Sequence, residues 1–189
     1  MTNIYKSPRN GEEMVKAVIN GDGRNGEIPI FMYSDLCRFA KEHGALRLIK
    51  ELYRRGTQVL ILLQDPEKMM SGHWMSLSFF PKEKKIYFFS SYGGRPDEEK
   101  NRWIDVLARF ISGQDMNALN DGLKDLYASG WEIHYNDYPF QKENDGSATC
   151  GIWTAAFLNS GMNPDEFARF VIGNKLTYRD FYEVFFRNE

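Results

Sequence analysis

The chain has few of the residues and patterns that mark secreted, metal-bound or membrane proteins. Only two of its 189 residues are cysteines, Cys37 and Cys150. Two cysteines are too few for a disulfide framework or an all-cysteine zinc site, and they suit a reducing compartment. Residues 1–6 lack the apolar core of a signal sequence, and no apolar run approaches the roughly 20 residues that span a membrane. We therefore expect an intracellular protein, in a host cytoplasm or a virion interior, with no membrane contact, metal or other cofactor.

Charge of one sign is also not concentrated anywhere. The formal net charge is −2, and no long block of lysine or arginine occurs. This balance disfavours nucleic acid as a partner. A chain of 189 residues with 42% hydrophobic residues is large enough to bury a core but short for two domains. We expect one globular domain over residues 1–189, acting as a monomer.

The most informative segment is residues 145–153, where a polar loop leads into an apolar helix that begins with a cysteine. The residues after Cys150 are apolar on nearly every side, as in a buried helix. Ser147 or Thr149 is expected to cap this helix. A thiol in the first helical turn faces unpaired N–H groups and the positive end of the helix dipole, which favour the nucleophilic thiolate. The alternative is packing, because a free cysteine usually behaves as a small buried hydrophobe.

The rest of the chain alternates between helical and extended patterns. Helices are predicted at residues 11–20, from a cap at Ser34 and Asp35 to a break at Gly44, at residues 45–54, at residues 96–111, around Leu119 to Leu126, after Cys150, and after caps at Asn163 and Thr177. Strands are predicted at residues 57–63, 73–80, 85–90 and 131–135, with residues 27–31 extended. The second and third of these strands form an antiparallel hairpin. The pattern predicts an α+β fold with a mixed, mostly antiparallel central sheet flanked by helices.

Several candidate residues are better explained by structure than by function. Residues 21–26 match the dinucleotide fingerprint G-x-G-x-x-G. That fingerprint must follow a strand and open a helix, whereas this segment follows a helix and precedes an extended segment, so we expect a surface turn. Cys37 lies inside a helix and is expected to pack in the core. His43 is expected at a helix end on the surface. His134 is expected to have a structural role, with a pocket residue as the alternative.

Four short motifs occur in an order that is informative as a set. They are His73-Trp74 at the start of a strand, Ser90-Ser91 at the end of the next strand, Gln141 in a loop, and Cys150-Gly151 at a helix start. Over about residues 57–160, this order resembles the adenain and ubiquitin-like-protein protease superfamily of cysteine peptidases. The family pattern is His-Trp, an acid at the end of the following strand, Gln, and Cys-Gly. The resemblance implies the papain-like, adenain-like protease fold, with Cys150 as nucleophile, His73 as base and Gln141 in the oxyanion hole.

Peptide hydrolysis explains why these residue types are needed. A thiol nucleophile requires a base that takes its proton and later returns one to the leaving amine, and histidine suits this with a pKa near about 6.5. Such a Cys–His pair can rest as thiolate and imidazolium. The Gln141 amide and the Cys150 backbone N–H can donate to the oxyanion. Trp74 and Gly151 are expected to line the substrate site, with Trp74 keeping it dry. The alternatives are a hydrogen-bonded strand histidine at residue 73 and a surface amide at Gln141.

The sequence departs from the family at the acid, because the matching position is Ser90. A hydroxyl can accept a hydrogen bond from an imidazole N–H, but it carries no charge to stabilise an imidazolium. Three outcomes follow. Ser90 orients His73 in a weaker enzyme, another acceptor such as Asp137 or a backbone carbonyl replaces it, or the site is degenerate.

The resemblance implies a cysteine endopeptidase that cleaves after small residues, often glycine. The compact size of the chain suggests a viral protease that matures virion proteins. The expected partner is therefore a polypeptide such as a capsid protein. One alternative is a protease that removes ubiquitin-like or SUMO-like modifiers. Ser90 motivates a second alternative, a non-catalytic peptide-binding domain on the same fold. Acyl transfer to an amine by the same Cys–His pair is a third.

Overall fold

The computed structural model describes residues 11–18, 27–64, 72–142 and 148–186. The helices within these ranges are α1 (Gly11–Ala17), α2 (Tyr33–His43), α3 (Ala45–Arg55), α4 (Glu99–Trp103), α5 (Val106–Ile111), α6 (Ala118–Ala128), α7 (Cys150–Ser160), α8 (Pro164–Gly173) and α9 (Tyr178–Phe185). The strands are β1 (Ile30–Met32), β2 (Gln58–Gln64), β3 (Gly72–Phe80), β4 (Lys85–Ser90) and β5 (Glu132–Tyr135).

The described strands form one five-stranded sheet in the order β1-β2-β3-β4-β5. The outer pairings, β1 with β2 and β4 with β5, are parallel. The two central pairings are antiparallel and longer, with Leu63 opposite His73 and Met75 opposite Ser90. The predicted hairpin and the predicted mixed sheet between helices are therefore confirmed.

Alternating side chains of the sheet build two cores on opposite faces. The first core packs Met75 and Leu77 of β3 and Phe88 of β4 against α2, α3 and α6. The second core packs Trp74 and Phe89 against α1, α7, α8 and α9. Because strand side chains alternate between faces, His73 lies on the face of the first core and Trp74 on the face of the second. At the end of the sheet where β3 begins, the side chains of His73 and Trp74 therefore point to opposite faces.

Two predicted helices differ from the structure for identifiable reasons. The helix predicted to be capped at Ser34 begins earlier, at Tyr33, and its N-cap has no side-chain hydrogen bond. Tyr33 is buried and its hydroxyl donates to Asp97 at 2.5 Å, so a distant contact fixes the helix start. The helix predicted at residues 96–111 is two helices, α4 and α5. Ile104 is extended between them, and Asp105 caps α5 by accepting from the Leu107 N–H at 2.8 Å.

Other predicted boundaries agree with the structure. Gly44 separates α2 from α3 with a φ of +88°, which glycine adopts readily. Asn163 caps α8 by accepting from the Glu166 N–H at 2.9 Å, and α9 follows Thr177 as predicted. The α1 helix ends at Ala17, before the predicted residue 20. The glycine-rich segment at residues 21–26 and Ser147 lie outside the described residues. In the described ranges, no helix is long and apolar enough to cross a membrane.

Candidate active site

The imidazole of His73 lies in an aromatic enclosure at the start of β3. The residue is only 1% exposed. Its ring stacks on Trp103 of α4, with centroids 6.2 Å apart and planes at 17°. The ring of Tyr92, just beyond β4, contacts the rings of His73 and Trp103, with centroids 4.9 and 5.2 Å apart, respectively. The two aromatic rings shield the imidazole from solvent.

A buried serine and a buried glutamate continue from His73 as a hydrogen-bonded chain. Ser90 is the last residue of β4, and its Oγ lies 3.0 Å from the Nε2 of His73. The Ser90 hydroxyl donates to Oε1 of Glu99, the first residue of α4, at 2.6 Å. Both Ser90 and Glu99 are 0% exposed. A carboxylate is therefore present in this site, one side chain behind the position where the resembled family has its acid.

The hydrogen bonds of Ser90 favour one tautomer of the neutral imidazole. A serine hydroxyl carries one proton, and at Ser90 it points at Glu99. The oxygen of Ser90 accepts from the Tyr92 N–H at 3.4 Å and is left to accept from His73 as well. The proton of the neutral imidazole is then on Nε2, and the lone pair is on Nδ1. Nδ1 is buried and has no hydrogen-bond partner among the described residues, so it is the acceptor that a general base needs.

Burial keeps the imidazole neutral. Burial lowers the pKa of His73 to about 3, and the positive charge of Arg102 acts in the same direction. At neutral pH this structure therefore favours a neutral imidazole over the imidazolium of the predicted resting ion pair. A neutral imidazole can still take the thiol proton as the sulfur attacks.

Asn136 holds the backbone of Ser90 in place after β5 has ended. Its Oδ1 accepts from the Ser90 N–H at 3.0 Å, and its Nδ2 donates to the Ser90 carbonyl at 2.6 Å. The same Nδ2 donates to the carbonyl of Tyr138 at 3.2 Å. Asn136 therefore ties the end of β4 to the loop that carries Gln141.

Gln141 is anchored next to Ser90 by its neighbour Ser91. The Gln141 N–H donates to the Ser91 carbonyl at 3.0 Å, and the Ser91 hydroxyl donates to Oε1 of Gln141 at 3.3 Å. The preceding Phe140 packs on Trp153 in the first turns of α7, with ring centroids 5.1 Å apart. The buried glutamine is therefore fixed between the end of β4 and the start of α7, and the alternative of a surface amide is wrong.

The α7 helix runs along β3 in the same direction. Near its start, the Thr154 hydroxyl donates to the Trp74 carbonyl at 3.2 Å. Further along, Phe157 stacks on Phe89 at 4.5 Å, and Phe89 pairs with Ser76 of β3. Later helix residues thus lie beside later residues of the strand.

This alignment places Cys150 at the sheet end occupied by His73. Cys150 lies one helical turn before Thr154, or about 6 Å back along the axis. That distance corresponds to about two strand residues before Trp74, which is level with Gly72 at the start of β3. Cys150 is 5% exposed and packs in the second core. The structure therefore places the thiol and the imidazole at the same end of the sheet, with Cys150 in the second core and His73 on the face of the first, and Nδ1 of His73 makes no hydrogen bond to Cys150.

Three predictions about neighbouring residues have clear outcomes. Thr149 is the N-cap residue of α7, but its side chain makes no capping hydrogen bond, so the predicted side-chain cap at Thr149 is wrong. Asp137 does not orient His73, because it is exposed and pairs with Arg95 at 2.9 Å. Trp74 and Gly151 are both buried beside Cys150, where Trp74 packs in the second core; their contact with substrate stays a prediction.

The remaining candidate residues lie away from this site. Cys37 is fully buried in the first core, as predicted. His43 is exposed at the end of α2, also as predicted. His134 lies on β5, half-buried, with its Nε2 3.2 Å from the Glu132 carboxylate, consistent with a structural role. Among the described residues, no group of three or more histidine, cysteine, aspartate or glutamate side chains is arranged to hold a metal ion.

Sequence reasoning missed Glu99, Trp103, Tyr92 and Asn136. Glu99 follows Pro96, Asp97 and Glu98, so its sequence context is that of a solvated acidic helix start. One signal was available, the Gly93-Gly94 pair, because paired glycines often mark a close approach of another group to the backbone. A Cβ added to Gly94 would overlap the Glu99 carboxylate.

No protein-family model matches the chain. A similar protein is "Uncharacterized protein V9" of Sputnik virophage, which is 34% identical over 112 residues. The matched region covers 59% of this chain and 61% of that protein. The chain thus spans less than two thirds of a viral relative whose name states no activity.

Proposed function

We propose that this chain is a cysteine endopeptidase in which Cys150 is the nucleophile and His73 the general base. The observation that carries this proposal is the hydrogen-bonded chain from His73 through Ser90 to Glu99. It leaves the Nδ1 lone pair unpaired at the sheet end where α7 begins with Cys150. A merely structural histidine would be expected to use both ring nitrogens, because an unsatisfied buried polar atom is destabilising.

The reaction follows from the positions of these groups. The Sγ of Cys150 attacks the peptide carbonyl carbon while Nδ1 of His73 takes the thiol proton. The resulting oxyanion accepts hydrogen bonds from the Cys150 N–H at the start of α7 and from the amide of Gln141. The C–N bond then breaks, and the imidazolium returns its proton to the leaving amine. Water hydrolyses the thioester by the same route, with His73 again acting as the base.

The proposed substrate is a polypeptide with a small residue, often glycine, before the cleaved bond. Trp74 and Trp153 belong to the same second core as Cys150, and the thiol itself is only 5% exposed. An enclosed thiol favours an extended backbone without a large side chain near the reacting carbonyl. We further propose a viral substrate such as a capsid protein, which the similarity to a virophage protein supports. Removal of a ubiquitin-like modifier is the second candidate, since its C-terminal Gly-Gly would meet the same steric requirement.

A peptide-library digestion tests the activity and its specificity. The full chain and its Cys150→Ala variant are incubated with a proteome-derived peptide library, and new termini are mapped by mass spectrometry. We expect cleavage after glycine and other small residues by the wild type alone. Equal cleavage by both proteins, or none by either, would overturn the peptidase proposal and favour the peptide-binding alternative. A ubiquitin-like substrate ending in Gly-Gly, assayed in parallel, separates modifier removal from general endopeptidase activity.

A further inference from the structure

We propose that Glu99 is the positioning acid of the site and that it acts on His73 through the hydroxyl of Ser90. This inference rests on the proposed peptidase function and concerns the same site. It assigns Ser90 as a relay and Glu99 as the source of negative charge. The serine is then one part of a two-residue replacement for the single acid.

The geometry gives Glu99 a definite effect on the imidazole. Its hydrogen bond with Ser90 and that of Ser90 with His73 share one atom, Ser90 Oγ, at 2.6 and 3.0 Å. The Glu99 carboxylate thus lies within about 6 Å of Nε2, where an opposite charge favours the protonated imidazole. When Nδ1 takes the thiol proton, Nε2–H remains hydrogen-bonded to Ser90, and the hydroxyl proton remains directed at Glu99. No proton moves along the relay; the carboxylate holds the tautomer and stabilises the imidazolium that forms.

The segment carrying Glu99 is held down by a buried network on both sides of it. Asp97 is buried with a φ of +69°. Its carboxylate accepts from the Tyr33 hydroxyl at 2.5 Å and from the Asn120 N–H at 2.7 Å. Those bonds fix the backbone two residues before Glu99 against α2 and α6.

Lys100 secures the other side of Glu99. Its buried ammonium donates to the Asp115 carbonyl and to Oδ1 of Asn117, each at 2.9 Å, and to the carbonyl of Met116. Burial lowers the pKa of Lys100. Burying a lysine ammonium is costly, and Lys100 is 2% exposed with three loop oxygens as its acceptors. These hydrogen bonds hold the backbone next to Glu99 and so help to position the adjacent carboxylate.

Gly94 provides the space that the carboxylate occupies. A Cβ at this position would overlap Oε1 of Glu99, the atom that accepts from Ser90. The φ of Gly94 is not positive, so its lack of a side chain matters more than its backbone freedom. The substitution Gly94→Ala is therefore expected to move the carboxylate away from Ser90 without removing it.

A charge-relocation experiment tests the relay. The variants are Glu99→Gln, the double substitution Ser90→Asp with Glu99→Gln, and Glu98→Gln as the control. Glu98 is the adjacent exposed glutamate, whose carboxylate accepts from the Arg95 N–H at 2.9 Å. We expect Glu99→Gln to lower kcat by roughly 100-fold with little change in KM, since loss of the acid in a catalytic triad lowers kcat by up to about 10⁴. The double variant moves the carboxylate directly onto the imidazole and is expected to recover most of that loss.

The pH profile of kcat supplies a measure that a merely structural role would not change. The charged or titratable groups around His73 are Arg102 of α4, Tyr92 beyond β4, whose ring contacts the imidazole, and Glu99 of α4, which is linked to it through Ser90. Removing the negative charge of Glu99 makes the base weaker, so the acidic limb of the profile should move down by about one pH unit. The double variant should move it back.

Several outcomes would overturn the relay. A kcat and a pH profile of Glu99→Gln equal to those of the wild type would do so. A loss of kcat in Glu99→Gln that the double variant does not recover would do so as well. If Glu99→Gln fails to fold in thermal unfolding, Gly94→Ala keeps the test open, because it displaces the carboxylate but retains it; an unchanged kcat there overturns the relay. Alkylation separates this failure from that of the peptidase proposal. Fast labelling of Cys150 that requires His73 but is unchanged in Glu99→Gln rejects only the relay. Labelling of wild-type Cys150 no faster than that of a free thiol rejects the peptidase proposal.

Discussion

The two cysteines are both buried, yet their surroundings prepare them for different chemistry. Cys37 lies in the middle of α2, inside the first core. Burial raises its pKa to about 12, despite a hydrogen bond with Tyr33 that acts the other way. Cys150 begins α7, where the N–H groups of the first turn have no helical acceptors. Position along a helix, more than burial, separates an inert thiol from a candidate nucleophile.

The two regions also differ in how they use buried carboxylates. Asp97, near Cys37, accepts from a tyrosine hydroxyl and two backbone N–H groups and serves the packing of α2 and α6. Glu99, two residues later, accepts from the hydroxyl bonded to His73. One short segment thus supplies a structural acid to the first core and a positioning acid to the site.

The largest contrast is expected in the alkylation rates of the two thiols. At pH 7 a thiol with a pKa of about 12 is a thiolate roughly one thousandth as often as a free thiol of pKa about 8.5. We therefore expect iodoacetamide to label Cys150 at least about 10³-fold faster than Cys37 in the native protein. Peptide mapping by mass spectrometry measures both rates in one sample, and Cys37→Ala should leave the Cys150 rate unchanged. Comparable rates would remove the distinction between the two thiols.

Removing the base should largely abolish activity while leaving Cys150 in place. We expect His73→Ala to lower kcat by about 10²–10⁴, the usual contribution of a general acid–base residue. The control is His134→Ala, because His134 lies on β5 and contacts Glu132. Steady-state cleavage of a peptide identified in the library digestion gives both values. Similar losses in the two variants would indicate a folding defect and not a catalytic one.

Gln141 should affect hydrolysis but not alkylation, because alkylation forms no oxyanion. We expect Gln141→Ala to lower kcat by about 10²–10³, as for loss of one oxyanion donor. Gln114 is the matched control: it is also buried, but it donates to Gln64 and Ser112 away from the site. A parallel fall in the labelling rate of Cys150 would mean that Gln141 supports the thiol and not the oxyanion.

Local sequence patterns predicted the parts of the fold that depend on local rules. The hairpin of β3 and β4 follows from apolar runs separated by a polar turn, and α8 follows from the cap at Asn163. These features arise within a few residues of each other. The same holds for the placement of His73 at a strand start and Cys150 at a helix start.

The sequence could not predict features that depend on distant partners. Tyr33 begins α2 because Asp97, far along the chain, accepts its hydroxyl. Glu99 is buried because hydrogen bonds made by Lys100 and Asp97 hold its segment against α6 and the neighbouring loop. From the sequence alone, this segment has only the pattern of an acidic helix start. The acid of the site was therefore missed although it lies nine residues after Ser90 in the chain.

Acid should destabilise the protein through His73 while leaving the Cys37 region unaffected. His73 has a pKa near about 6.5 when unfolded and about 3 when folded, so between these values the unfolded state binds more protons. The free energy of unfolding then falls as pH falls, by about 2 kcal/mol between pH 7 and pH 5 from this residue. Cys37 contributes no such slope, because its thiol is protonated in both states over that range. Urea unfolding of the wild type and His73→Gln at both pH values measures the difference; identical pH dependence in the two proteins would show that His73 is not buried in its neutral form.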